Sequence, residues 1–208
     1  MSNALKRKRK RMEPVGFERK TIVRIADAMT RQRNTENLIE ESYLNIKLIA
    51  YQVLHDYFGF GKKRIDRVEN TIDQYLQKAA NGLMTETQMM HLLKEKYDID
   101  VKAEANKVPF KERFYLTKAY ILPESKQSAG MYLLESICNY FALLGTCLKT
   151  QFKFSKNRIE KAFYHIRDYI NTLSRPKQFE LTMPMIAESV KIECGFIDKR
   201  FIGENNGK

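Results

Sequence analysis

Cysteine is scarce in this chain and badly spaced for chemistry. Cys138, Cys147 and Cys194 are odd in number and form no C-x-x-C pair, so neither a disulfide framework nor a cysteine zinc site is suggested. Histidine is equally thin. His55, His91 and His165 stand alone in the sequence, with no partner at i+4 and no H-E-x-x-H, which assigns no metal ligand and no general base. Neither G-x-x-x-x-G-K-[ST] nor G-x-G-x-x-G occurs, so no phosphate-cradling nucleotide loop is present. No apolar run approaches the ~20 residues of a membrane span, the longest candidate being Tyr140–Leu148. The N-terminus lacks the apolar core and small-residue cleavage site of a secretory signal. These lacks point to a cytoplasmic protein with no membrane partner, no catalytic constellation, no cofactor and no metal.

Positive charge is what the chain has in excess. Its 37 Lys and Arg outnumber 25 Asp and Glu, for a net charge of +12. The excess is concentrated at the start, where residues 1–33 hold eleven basic and three acidic side chains. Within it, Lys6, Arg7, Lys8, Arg9, Lys10 and Arg11 form an unbroken cationic run that repels itself unless an anion is bound. Release of counterions makes a nucleic-acid backbone a favourable partner for such a run; an address tag and a merely solvated tail are the other readings.

Periodicity is helical nearly throughout. Ile22, Ile25, Ala26 and Met29 mark a short basic helix, and Asn34 or Thr35 is placed to cap a second one running to about Tyr57. A helix is expected from Lys62 to Ala80, with Asn81-Gly82 as its stop, followed by a short helix opened by the capping box Thr85-Glu-Thr-Gln88. Tyr97–Val101 alternates and reads as a brief strand or extended tail, residues 102–108 as a linker. Phe110, Phe114, Thr117 and Ile121 suggest one more helix before Pro123, and residues 124–130 a second linker.

The second half then repeats the first. Phe58-Gly-Phe-Gly-Lys-Lys-Arg-Ile-Asp-Arg67 recurs 94 residues on as Phe152-Lys-Phe-Ser-Lys-Asn-Arg-Ile-Glu-Lys161. Phe-x-Phe, Lys-x-Arg-Ile, an acid and a base survive in both copies, whereas the glycines do not. Lysines in a first helical turn oppose the helix dipole at about 0.3–1 kcal/mol each, which calls for a compensating anion. The anion is either a phosphate at the helix start or an internal acid such as Asp66 or Glu160. The candidate binding set is therefore Lys62, Lys63, Arg67, Lys156 and Lys161 together with the tail. Arg64 and Arg158 flank the core, where their stems would pack over Phe58 or Phe152. The phenylalanines themselves read as staples of the helix starts rather than as base-stacking platforms.

The segment Leu54–Ile65, with the helix after it and Tyr97-Asp-Ile-Asp100, resembles small uncharacterised phage and mobile-element proteins of Gram-positive bacteria. Those carry one such unit, so the resemblance covers residues 44–101 and reaches 137–198 only as a degenerate second copy, with Lys153 and Ser155 at the glycine positions. It implies a mobile-element origin and supplies no catalytic residue. The expected fold is all-α: two pseudo-repeated helical units with a basic N-terminal tail. The divisions fall at a tail (1–16), a first unit (17–108), a connecting helix and linker (109–130) and a second unit (131–208). The expected function is non-enzymatic: an accessory or regulatory protein that binds DNA or RNA. The alternative is an anti-CRISPR-like inhibitor of host nucleic-acid machinery, whose partner is a protein or nucleoprotein.

Overall fold

A computed structural model describes residues 16–117 and 125–201, and among these residues it is all-α, with helices joined by turns and no strand. In chain order the elements are α1 (Gly16–Phe58), α2 (Lys62–Ala80), α3 (Glu86–Tyr97), α4 (Val101–Asn106), α5 (Phe110–Arg113) with a 3-10 turn over Phe114–Leu116, α6 (Lys126–Phe152), α7 (Lys156–Leu173), α8 (Pro176–Phe179) and α9 (Met183–Cys194), closed by a 3-10 turn over Lys199–Phe201.

Four local expectations are corrected. No helix start falls at Asn34 or Thr35, because α1 runs unbroken through them. The Thr35 hydroxyl donates back to the Arg31 carbonyl at 3.0 Å instead of capping a new helix, and the chain holds neither proline nor glycine from Phe17 to Phe58 to stop the old one. Residues 97–101 form no strand. Asp98 takes a left-handed conformation (φ 53°) that ends α3, and the Asp100 carboxylate accepts the Ala103 N–H at 2.9 Å to start α4. Residues 102–108 are largely helix α4 rather than linker, with Val101, Glu104, Ala105 and Val108 buried at helical spacing. The pattern escapes notice because an acid holds a core position. Finally, the described part (110–117) of the helix expected over 110–121 is one short turn plus a 3-10 turn, and α6 begins at Lys126, inside the expected linker, where the Ser125 hydroxyl accepts the Ser128 N–H at 3.1 Å. Ile121 lies outside the described residues.

α1 is 43 residues long, about 64 Å at the usual rise. Its exposed stretch around residues 27–33 precedes Leu38, the first buried side chain described, which packs with Ala129 and Leu133. From Ile46 on, α1 enters one continuous apolar core that also takes in residues of α2, α3, α4, α6, α7 and α9. α6 is the central element. By length and composition it is apolar enough to cross a membrane, and 72% of that stretch is buried inside the protein.

The packing runs crosswise. α1 lies against α7 and α9, which follow α6 in the chain, while α6 lies against α2 and α3, which follow α1. Individual contacts recur at positions 94 residues apart. Phe60 N–H reaches Leu54 O at 3.0 Å and Phe154 N–H reaches Leu148 O at 3.1 Å. The hydroxyls of Tyr75 and Thr150 hydrogen bond at 2.8 Å, and the Tyr169 hydroxyl donates to Asp56 Oδ2 at 2.5 Å. His55 Nδ1 contacts Phe60 O at 3.1 Å, matched by Lys149 Nζ on Phe154 O at 3.3 Å.

Two acids gather small polar networks in this interior. Glu69 takes both the Tyr51 hydroxyl and the Lys47 ammonium, and Glu104 takes the Arg167 guanidinium together with Lys107. The three cysteines are free and buried. Burial pushes the Cys147 thiol up to about 12 and the Cys194 thiol up to about 11, which makes both inert.

Candidate nucleic-acid interface

The two helix starts singled out in the sequence meet in space. Each is made the same way. After α1, Gly59 turns left-handed (φ 66°), its N–H returning to His55 O at 2.9 Å, so that Phe60 swings back onto the core. After α6, Lys153 adopts the same turn (φ 56°) without glycine's freedom, a strain of about 1–2 kcal/mol. The following helix starts differ in their caps. Gly61 offers no side chain, whereas the Ser155 hydroxyl accepts the Arg158 N–H at 3.4 Å. The glycines thus differ between the two turns while the left-handed step and its hydrogen bond to the core do not.

These turns deliver four phenylalanine rings to one place. Phe58 sits 5.3 Å from Phe154 and Phe60 sits 4.8 Å from Phe152, centroid to centroid, so each ring of one turn meets a ring of the other. Phe60 and Phe154 are buried, at 2% and 3% exposure, and Phe58 and Phe152 are half-buried. Three exposed guanidiniums cover the cluster. Arg64 lies 5.6 Å from the Phe60 centroid, Arg67 lies 5.4 Å from that of Phe152, and Arg158 lies 3.9 Å from that of Phe154 and 5.7 Å from that of Phe58. Each such contact is worth about 0.5–1 kcal/mol at an exposed site, and one Arg64 N–H also reaches the Gly59 carbonyl at 3.5 Å. The outcome is an aromatic floor carrying a cationic ridge.

Lys63 is exposed beside the ridge, and Arg67 is part of it. Lys62 is exposed, with its methylene stem so close to Gly195 that a Cβ there would stand 2.9 Å from Lys62 Cδ. Lys156 pairs at the surface with Asp98 at 2.5 Å and lies 3.8 Å from Glu160, so acids of the same chain meet its charge. Lys161 is exposed on α7 close to His165, whose pKa is pushed down by burial and further by that ammonium. The run Lys6–Arg11 lies outside the described residues. Arg64 and Arg158, expected as packing residues, belong to the ridge itself, and Lys153 adds an exposed ammonium at the left-handed turn. Their recurrence at the same place in both copies was the available signal. What the sequence did not carry is that the two turns face each other.

An arrangement of this kind offers charge and planar donors without an acid–base pair. It suits a polyanion whose phosphates accept forked hydrogen bonds from arginine. Comparison with protein-family models, with curated proteins and with solved structures found no match for this chain.

Proposed function

We propose that the chain is a duplicated helical unit whose copies interlock crosswise, and that the ridge they build together binds the phosphate backbone of nucleic acid. The duplication is supported by the contacts that recur at a spacing of 94 residues and by the way each long helix packs on the other copy's shorter helices. The binding reading rests on one observation above all: three exposed guanidiniums, drawn from both copies, held over one shared aromatic cluster. The basic run at residues 6–11 would extend the same electrostatic surface. The part played is that of an accessory or regulatory protein of a mobile element, acting by occupancy rather than by catalysis.

Recognition on these terms is by charge and shape, not by base edges, so duplex DNA and single strands are both accepted. Fluorescence anisotropy with random duplex DNA, single-stranded DNA and RNA at low salt tests the reading. The full chain is compared with a variant in which Lys6–Arg11 are all glutamine. The wild type is expected to bind, and the tail variant to bind more weakly but still measurably. No binding to any of the three at low salt removes the reading in favour of a protein-directed inhibitor. Binding abolished by the tail variant alone reduces the ridge to scaffold.

A further inference from the structure

The C-terminal ends of α1 and α9 bring two neighbouring side chains, His55 and Asp56, to Glu193, 137 positions beyond Asp56, and the group is of a different chemistry from the ridge. His55, Asp56 and Glu193 each offer one donor atom, and the three atoms lie within 4.8 Å of one another. We propose that they form a binding site for one first-row divalent cation, with Zn2+ as the reference ion.

The geometry is that of ligands around a small ion. His55 Nε2 stands 3.3 Å from Glu193 Oε2, and two donors at the ~2.0–2.1 Å bond lengths of zinc, set tetrahedrally, are themselves about 3.3 Å apart. His55 and Asp56 are also held from behind. His55 Nδ1 is 3.1 Å from the Phe60 carbonyl, which selects the tautomer with Nδ1 protonated and turns the lone pair of Nε2 toward the carboxylates. The Tyr169 hydroxyl donates to Asp56 Oδ2 at 2.5 Å, and the Ser189 hydroxyl donates at 3.2 Å to Glu193 Oε2, the oxygen that faces His55. Such outer partners fix ligand orientation in metal sites generally.

Gln52 supplies the second, independent observation. It is only 6% exposed, and its amide nitrogen bridges the two acids, 2.9 Å from Asp56 Oδ1 and 3.3 Å from Glu193 Oε2. Its amide oxygen is buried with no hydrogen-bond partner. A half-turn of the amide would set that oxygen against both carboxylates, an arrangement of like dipoles that only a cation between them makes favourable. Gln52 would then be the fourth ligand. The matched corner of the fold already has a built-in cation: Lys149 holds Phe154 O there, as His55 holds Phe60 O here. An imidazole with carboxylates favours zinc-class ions over magnesium. The bound ion would tie α1 to α9 and, through Phe60 O, brace the turn that carries the aromatic cluster.

The test uses the full chain stripped with EDTA and titrated calorimetrically with ZnCl2 and separately with MgCl2, alongside thermal melts. One Zn2+ per chain is expected, with Tm raised by about 5–10 °C at a hundredfold excess over Kd and little response to MgCl2. His55→Gln and Glu193→Gln should each weaken Zn2+ binding at least tenfold while keeping wild-type circular dichroism. The absorption of the Co2+-loaded wild type is a readout that needs no variant to fold: weak visible bands of nitrogen and oxygen ligation are expected. No stoichiometric Zn2+ binding by the wild type overturns the proposal. So does Zn2+ binding unchanged in both variants, or a thiolate-to-Co2+ charge-transfer band, since either places the ion elsewhere.

Discussion

Truncating one ring of the aromatic cluster should weaken the whole molecule, not one half of it. Phe60 is 2% exposed and Phe154 3%, with centroids 6.0 Å apart in edge-to-face contact, and each also touches Phe152. Phe→Ala at such a site costs about 3–5 kcal/mol, from lost transfer energy plus the cavity left behind. That is at least a fifth of the ~5–15 kcal/mol that holds a typical domain. Because one continuous core takes in Phe60 and Phe154 alike, Phe60→Ala and Phe154→Ala should each lower the urea midpoint of a single transition with unchanged slope. The gentler pair Phe60→Leu and Phe154→Leu permits a double-mutant cycle, with an expected coupling of about 0.5–1.5 kcal/mol. Far-UV circular dichroism and tyrosine fluorescence are the probes, the chain having 11 tyrosines and no tryptophan. Two resolved transitions, with Phe60→Ala moving only one of them, would refute the interlocked core, and so would a coupling of zero.

Three further outcomes follow from local geometry. A Cβ at Gly145 would stand 3.1 Å from both Leu93 Cδ1 and Phe163 Cζ, so Gly145→Ala should destabilise by about 1–3 kcal/mol in the same urea assay. Asp100→Ala removes the cap of α4 and should cost about 1 kcal/mol at neutral pH. The Asp100 pKa is held low, first by the Ala103 N–H and then by Lys94. Its stabilisation is therefore full above the unfolded value of about 3.9 and is lost as pH falls through the lower folded one. The gap between wild type and Asp100→Ala should close in that acid window, and a gap that widens there would contradict the assignment. The thiols of Cys138, Cys147 and Cys194, buried and raised in pKa, should resist a disulfide reagent in the native protein and all react in denaturant. Rapid native labelling of any of them would count against this core.

Much of the helical scaffold could be read from residue spacing. α2 spans Lys62–Ala80, as the recurrence of Ile65, Val68, Ile72 and Tyr75 indicates, and the Thr85–Gln88 capping box forms in both directions at 2.8 and 3.3 Å. What escaped has a common physical cause: the deciding partner is far away in sequence. Glu104 hides α4 because its charge is met by Arg167, which a spacing rule cannot see. Lys156 looked free until Asp98 was placed beside it. The ridge was half legible, since composition marks Lys63 and Arg67, but Arg64 and Arg158 gain their setting only when Phe58 meets Phe154 and Phe60 meets Phe152. His55 and Asp56 likewise carry no signal until α9 brings Glu193 to them.

The sharpest test of phosphate binding by the ridge is the salt dependence of nucleic-acid affinity, compared between the wild type and Arg64→Gln/Arg67→Gln/Arg158→Gln. Each phosphate neutralised contributes about −0.9 to the slope of log K against log salt on duplex DNA. Between 50 and 200 mM NaCl, the triple variant should lose affinity at every salt and show a slope shallower by about 2.7 than the wild type, with its helical circular dichroism intact. Equal slopes for the two proteins would show that the three guanidiniums release no counterions, and the ridge would not be the binding surface.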